Sequence, residues 1–378
     1  MGPTWHDAVG ALGRREYVMA GSVAVAAVAV GRIGVFHARH VQEVAQETGM
    51  CQLVAVADRH ADTAKRVAAE LSNQRDEVLA FDSPEALAEA GVADAAVVAS
   101  RTIDHRRDTT ALVEAGIRVL LEKPLGDSLA EARDLGGWLD GDERRNQAVM
   151  MAFQRRYDAP LLRAKVLLDG GAVGTLFKVV SILEDPEPPP PGYQSSGLLT
   201  DMGVHNADEV LWLTGKALTA VTGMGSRLHN QKIDGVVAED FDDAFVQLWL
   251  GEDVVAQIQV SRNHVAGYRN ETTLYGTRGL IHVGHFDDDP LKVWVEAYGR
   301  EHNVIEKRAY PLRDYDRPVP VFIRRFGLAY KAEVADFVNK CASGEPFEVT
   351  HREGLRAMEV VTAAASSLKT RAQADLLG

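Results

Sequence analysis

Cysteine is nearly absent: Cys51 and Cys341 are the only two in 378 residues. They are far apart and lack metal-ligand spacing, so they offer neither a disulfide framework nor a zinc site, and no metal is expected. Such usage suits a reducing compartment, and the chain reads as cytoplasmic. Basic charge is also in deficit. A formal charge of -13 and a pI near 5.4 leave no basic patch of the kind a nucleic-acid binder sets against phosphate. No apolar run reaches the ~20 residues that span a bilayer, so no membrane partner is expected. The run Ala20 to Val30 behind Arg14-Arg15 has the outline of a twin-arginine leader. Its part from Val23 to Val30 is needed as the first strand of the alternating strand–helix pattern that follows, which a leader reading would delete. Internal repeats are missing, and the one biased stretch is Pro186 to Pro191, a stiff loop that cannot join a sheet.

What is present is a globular composition, 46% hydrophobic and 25% charged, in a length that fits about two domains. Strands and helices alternate in the first half, as in a doubly wound parallel sheet of α/β type. Strands are expected at Val23 to Val30, Gln52 to Ala57, Ala95 to Ala99, Ile117 to Leu121 and Ala148 to Phe153. Between them, Ala64, Val67, Ala68 and Leu71 recur at helical spacing, and Gly116 caps a helix that runs through Ala111 to Ala115. Residues 1–152 are therefore expected to form a doubly wound α/β domain, with 1–21 as an N-terminal extension. Residues 153–378 form a second, α+β domain with an open, largely antiparallel sheet. Its strands are expected at Phe241 to Leu250, Val254 to Ser261, Glu271 to Tyr275, Leu280 to Val283 and Leu291 to Ala297. Helical spacing near Tyr330 to Cys341 and Gly354 to Lys369 closes the chain.

The phosphate-binding fingerprint Gly-x-Gly-x-x-Gly reads here Ala29-x-Gly31-Arg32-Ile33-Gly34. Alanine is compatible with the first place if its backbone keeps a negative φ. Gly31 lets the backbone approach a pyrophosphate and Gly34 lets helix and strand pack closely. The pyrophosphate would sit on the helix N-terminus near Arg32, where free N–H groups and the dipole attract anions. Asp58 follows near the ~20-residue offset at which an acid accepts from the ribose hydroxyls, which favours NAD. Arg59 beside it keeps NADP as the minority reading, because a guanidinium can hold a 2′-phosphate.

Glu122-Lys123-Pro124 ends the apolar run Ile117 to Leu121, where open α/β sheets place their ligands. A helix expected to begin near Leu199 carries Asp201, His205 and Asp208, and the four-residue step puts Asp201 and His205 on one face. The carboxylate can orient the ring, and an imidazole with an unperturbed pKa of ~6.5 can exchange a proton near neutrality. The alternative is an ordinary solvated Asp-His pair on a helix.

Taken together, these motifs resemble those of the glucose-fructose oxidoreductase, inositol dehydrogenase and MocA family of NAD(P)-dependent oxidoreductases. The resemblance runs from about Val23 onward. It rests on Gly31-Arg32-Ile33-Gly34 with His37-Ala38, on Glu122-Lys123-Pro124-Leu125, on Arg155-Arg156-Tyr157-Asp158, and on Asp201 with His205. It implies a Rossmann domain and a substrate domain whose sheet often mediates homodimers or homotetramers. It also implies Lys123, Asp201 and His205 as the catalytic trio, and Ser100, His105 and Glu122 near the nicotinamide. The nearest likeness is to inositol and related sugar dehydrogenases. Leu183-Glu184-Asp185 departs from the polar contacts usual on that strand, and Ser100-Arg101-Thr102 replaces a turn that often holds proline. Arg101 near the cleft can meet an acid group or a phosphate, or pair with Asp104.

The reaction so implied is hydride transfer between a secondary hydroxyl of a sugar or cyclic polyol and the nicotinamide, with His205 as base and Lys123 on the same oxygen. Lys123 and His205 can exchange roles. Arg155, Asp185 and Tyr268 are further substrate contacts, each with ordinary core or surface bonding as the rival role. Two other classes stay open: a glycoside-processing enzyme that recycles bound NAD, and a non-catalytic dinucleotide or sugar sensor.

Overall fold

The computed structural model describes residues 22–74, 76–186, 196–227, 232–233, 236–237, 240–284 and 291–375. The arginine pair at Arg14 and most of the proline run lie outside the described residues. The chain divides into two units. One holds the described residues up to Gly126 with Ala130–Ala152 and Tyr330–Glu353; the other holds Asp127–Leu129, Phe153–Ala329 and the chain from Gly354.

In the first unit, β1 (Val23–Val28), β2 (Cys51–Ala57), β3 (Leu79–Phe81), β4 (Ala95–Val98), β5 (Arg118–Glu122) and β6 (Val149–Ala152) form a sheet in the order β3-β2-β1-β4-β5-β6. Every pair is parallel. Parallel strands covered on both faces read as unbroken apolar runs, and all six residues of β1 are buried. Helices Gly34–Thr48, Ala61–Leu71, Pro84–Ala90, His105–Glu114 and Leu129–Asp140 make the crossovers. The stripe Ala64, Val67, Ala68 and Leu71 is buried, and each Val or Leu so placed contributes roughly 1.5–3 kcal/mol. Gly116 takes φ +82, the left-handed value its helix-ending place requires. The direction of strand order reverses beside β1, which puts the ligand crevice at the C-terminal ends of β1 and β4.

Tyr330–Glu353 returns to this unit from far along the chain. Thr350 bridges Met150 in antiparallel fashion, and the Met151 N–H donates to the Val349 carbonyl at 2.9 Å. Arg118 donates to the carbonyls of Lys340 and Glu345, with its guanidinium 3.9 Å from the Phe347 ring centroid. A boundary at residue 152 assigns this segment to the second domain, because an apolar helical stripe does not declare which surface it covers.

The second unit carries a nine-stranded sheet in the order β16-β15-β14-β13-β7-β12-β11-β8-β17. The strands are β7 (Leu176–Glu184), β8 (Leu218–Ser226), β11 (Asp243–Leu250), β12 (Val254–Ser261), β13 (Arg269–Gly276), β14 (Gly279–Val283), β15 (Lys292–Tyr298), β16 (Val304–Pro311) and β17 (Ala374–Asp375), while β9 (Lys232–Ile233) and β10 (Val236–Val237) form a separate ribbon. The pair β7 and β12 is parallel and the rest are antiparallel. Helices Ala159–Asp169 and Val204–Thr214 lie against the sheet. In β11, Ala244, Val246, Leu248 and Leu250 are buried, whereas Phe245 and Trp249 are exposed on the other face. The closing helices run Val321–Ser343 and His351–Thr370. Among the described residues no helix is long and apolar enough to cross a membrane.

Candidate functional site

The dinucleotide half lies wholly in the first unit. Ala29 follows β1 at φ +62, so the negative φ expected of it is corrected. The turn demands the left-handed backbone that glycine supplies elsewhere, and alanine holds it at a cost of roughly 1–2 kcal/mol. Gly34 explains why the turn cannot relax: a Cβ there would stand 2.1 Å from the Ala29 carbonyl oxygen. Gly31 is exposed, and a Cβ on it would meet nothing within 4 Å. Arg32 is exposed and Ile33 is the N-cap of the helix Gly34–Thr48. That helix has no side-chain cap and no acid in its first turn. A pyrophosphate fits this end, because its oxygens meet an uncapped N-terminus with open space above Gly31.

Asp58 stands at the C-terminal end of β2, buried, and its Oδ1 accepts the His60 N–H at 2.9 Å. That bond fixes the carboxyl within its own turn and leaves Oδ2 for a ribose hydroxyl. Arg59 is exposed beside it. Arg101 is exposed and pairs with Asp104 at 3.1 Å. His105 is buried with Nδ1 2.9 Å from the Pro124 carbonyl and Nε2 3.1 Å from the Ser100 carbonyl. Burial pushes its pKa down against the two carbonyl contacts and the charges of Glu122 and Asp108, which favour the protonated ring. The ring braces the loop after β4 against the Lys123-Pro124 turn, whose peptide is cis.

Glu122 ends β5, and its Oε1 is 2.7 Å from His37 Nε2 while Oε2 accepts the Lys123 N–H at 3.1 Å. Burial alone would push this carboxyl up, but the His37 hydrogen bond, together with the Lys123 charge and N–H, outweighs it and holds Glu122 below the usual range. Lys123 is half-buried. Lys123 belongs to the first unit, and Asp201 and His205 to the second.

In the second unit, Asp201 lies on a π-type turn, Leu199–Gly203, and His205 on the first turn of the α-helix Val204–Thr214. The single helix expected from Leu199 is corrected in this respect. Gly203 packs closely on Leu199 within this turn: a Cβ on it would stand 3.2 Å from Leu199 Cδ2. Both Asp201 and His205 are half-buried. Two residues not singled out from sequence support them. Arg262, only 2% exposed, reaches Asp201 Oδ2 at 3.5 Å and Asp240 Oδ2 at 3.3 Å, and Asp240 Oδ2 also accepts the Leu198 N–H at 2.7 Å. The acid-rich stretch Glu239-Asp240-Phe241-Asp242-Asp243 was the visible signal, but nothing local pairs it with an arginine.

Asp208, on the same helix as His205, is buried and forks onto Arg156 through bonds of 2.6 to 3.2 Å, a packing role. Arg155 is likewise buried, 2.7 Å from Glu209 and 5.6 Å from the Phe326 centroid. Glu209 also accepts from Ser181 and Thr272, and Ser181 accepts from Asn206, so the neighbour of His205 is tied into a buried polar network. Tyr268 is half-buried, and its phenol is pushed well above the ordinary range by burial and then by the Asp185 charge, with Arg155 and Arg325 opposing. Arg155, Asp185 and Tyr268 thus share one electrostatic neighbourhood. Glu184 is buried among Gln259, Arg269 and His264. Among the described residues no group of three or more His, Cys, Asp or Glu is arranged for a metal ion.

Comparison with known proteins matches residues 23–150 to the model described as the oxidoreductase family with an NAD-binding Rossmann fold, and 161–282 to the GFO/IDH/MocA C-terminal domain. The chain belongs to the Gfo/Idh/MocA family. It is an oxidoreductase-family chain whose first domain is an NAD-binding Rossmann fold. Among family members, it is similar to the myo-inositol 2-dehydrogenase of Thermotoga maritima, 26% identical over 93% of this chain and 98% of that one. It is also similar to the scyllo-inositol 2-dehydrogenase (NAD(+)) of Bacillus subtilis, 26% identical over 92% and 94%. A solved structure, the myo-inositol dehydrogenase of Corynebacterium glutamicum, superposes with a TM-score of 0.77 at 25% identity, covering 94% and 99%.

Proposed function

We propose that the protein is an NAD-dependent dehydrogenase that oxidises a secondary hydroxyl of an inositol-like cyclic polyol or sugar. The observation that carries this reading is similarity over nearly the whole chain to inositol dehydrogenases, in a sequence that carries Lys123, Asp201 and His205. When bound, NAD supplies the hydride acceptor. Gly31, Arg32, Ile33 and Gly34 hold its pyrophosphate, Asp58 its ribose, and Ser100, Arg101, His105 and Glu122 border the nicotinamide side. His205 takes the hydroxyl proton, a step worth typically ~10²- to 10⁴-fold, and Asp201 favours the protonated ring that results. Lys123 donates a hydrogen bond to the same oxygen and stabilises charge developing on it. Asp185 and Tyr268 contact the ring hydroxyls, and Arg155 supports them from the core.

In this reading residues 1–152 serve the dinucleotide and 153–378 the substrate. The protein works in the cytoplasm as a homodimer or homotetramer. Met224, Phe245, Trp249 and Val255, exposed on adjacent strands, supply an apolar sheet face for self-association. Light scattering on the purified protein gives its mass, and a monomer would remove this part of the reading. For the reaction, incubation with NAD and myo-inositol followed by mass spectrometry should show a ketone lacking two hydrogens of the substrate. Consumption of neither reactant for any cyclic polyol or sugar would reject it.

A further inference from the structure

His37 is fully buried, on the first turn of the helix whose N-terminus receives the dinucleotide. Its Nδ1 finds no hydrogen-bond partner among the described residues. Leaving such a group unsatisfied costs about 1–3 kcal/mol, which a leucine of similar bulk would avoid. The one polar bond the ring makes is Nε2 to Glu122 Oε1 at 2.7 Å, so the ring proton belongs on Nε2 and donates to the carboxylate. The other oxygen of Glu122 takes the Lys123 N–H at 3.1 Å. The chain of contacts therefore runs from the phosphate-binding helix through a buried imidazole and a buried carboxylate to the backbone of Lys123.

We propose that His37 is a positioning residue for Lys123, acting through Glu122. The inference rests on the dehydrogenase reading of Lys123. His37 anchors a carboxylate that, without this donor, would be an expensive buried charge free to protonate or turn away, and Lys123 would lose the fixed peptide from which its side chain departs. The charged and titratable groups around the pair are Lys123 on the same turn, His105, whose ring feels the Glu122 charge, and Tyr330, whose ring meets His37 edge-on at 5.5 Å. His40 stacks on Tyr330 at 6.4 Å, and the helix of Tyr330 carries the buried Glu333.

The test uses His37→Leu, which removes the donor, and His37→Gln, whose amide N–H can replace Nε2–H. Two quantities are read: steady-state turnover, and titration of Glu122 by carboxyl-carbon NMR of protein with labelled glutamate, assigned through Glu122→Gln. For His37→Leu, kcat falls between ~10- and ~100-fold with NAD affinity changed less than about threefold, as expected when a reacting group is displaced from outside. Glu122 then titrates above the ordinary carboxylate range, because burial is no longer offset. His37→Gln recovers most of kcat and the low titration. A purely structural histidine would lower thermal stability in both variants and leave kcat and the Glu122 titration as in the parent, and that result, or equal loss in both, overturns the proposal. If the parent turns over no polyol, the dehydrogenase reading fails on its own, and the Glu122 titration in the two variants still decides what His37 does.

Discussion

The buried guanidinium of Arg262 stands 3.5 Å from Asp201 and 3.3 Å from Asp240, placing a fixed positive charge behind the carboxylate assigned to orient His205. Removing one partner of a buried pair costs roughly 3–5 kcal/mol when the other charge stays buried, and somewhat less here because Asp201 and Asp240 keep some solvent. Arg262→Gln should lower kcat/KM by ~10-fold or more and reduce the melting temperature, while NAD affinity, built in the other unit, stays unchanged. Unaltered kinetics in a stable variant would mean that Asp201 needs no support from Arg262.

Ala29 at φ +62 makes a different kind of prediction, because the residue opposes its own backbone. Ala29→Gly removes the steric cost but adds freedom to the unfolded chain, so a net gain of up to ~1 kcal/mol is expected in urea titration. Gly34→Ala should do the reverse and abolish NAD binding, since its Cβ would overlap the Ala29 carbonyl. A fully stable, NAD-binding Gly34→Ala variant would show that the turn is not held as described.

One carboxylate oxygen of Asp58 is fixed by the His60 N–H, and the proposed ribose contact falls to the other. Asp58→Ala should cost NAD roughly 1.5–3 kcal/mol of kcat/KM and leave NADP little changed, narrowing the preference about 10- to 100-fold. Parallel kinetics with both cofactors check this, and an unchanged ratio would place ribose recognition elsewhere.

His105 supplies a pH dependence of stability. Its folded pKa is lowered by burial, so below the unfolded value of ~6.5 the unfolded chain binds the extra proton. The contribution is complete above ~6.5 and is lost as pH falls from there. Glu122 adds a second window, with stability present above ~4.3 and lost as pH falls through its lowered value. Urea midpoints measured from pH 8 to 5 should decline in the parent and decline less in His105→Asn. Equal slopes would remove His105 as the cause.

Legibility from sequence followed burial. The parallel strands of the first unit are covered on both faces, so composition alone marks five of them; the three-residue edge strand β3, Leu79–Phe81, is too short to carry such a run, while β11 and β12 show clean alternation. β16, Val304–Pro311, mixes Val304 and Ile305 with Glu306, Lys307 and Arg308 on an edge strand, and β8 carries Gly223 and Gly225 where a strand former is usual. Neither has a periodic signal. The site divides in the same way. Lys123, Asp201 and His205 are visible through motif, and Asp58 through its offset from Gly34. The Arg262–Asp240 support, the Glu209 network and the His37–Glu122 bond join residues remote in sequence, and no spacing encodes them. The π-type turn at Asp201 has no periodic signature that separates it from the first turn of the α-helix that follows.

The most direct test of the central claim is the rate of NADH appearance when the purified protein meets NAD and a panel of inositols, aldoses, sugar acids and glycosides, run beside Lys123→Ala. Turnover on the cyclic polyols or a related sugar subset is predicted, and in Lys123→Ala it is lost with NAD affinity kept within a few-fold. Silence across the panel, or near-normal turnover in Lys123→Ala, would contradict it.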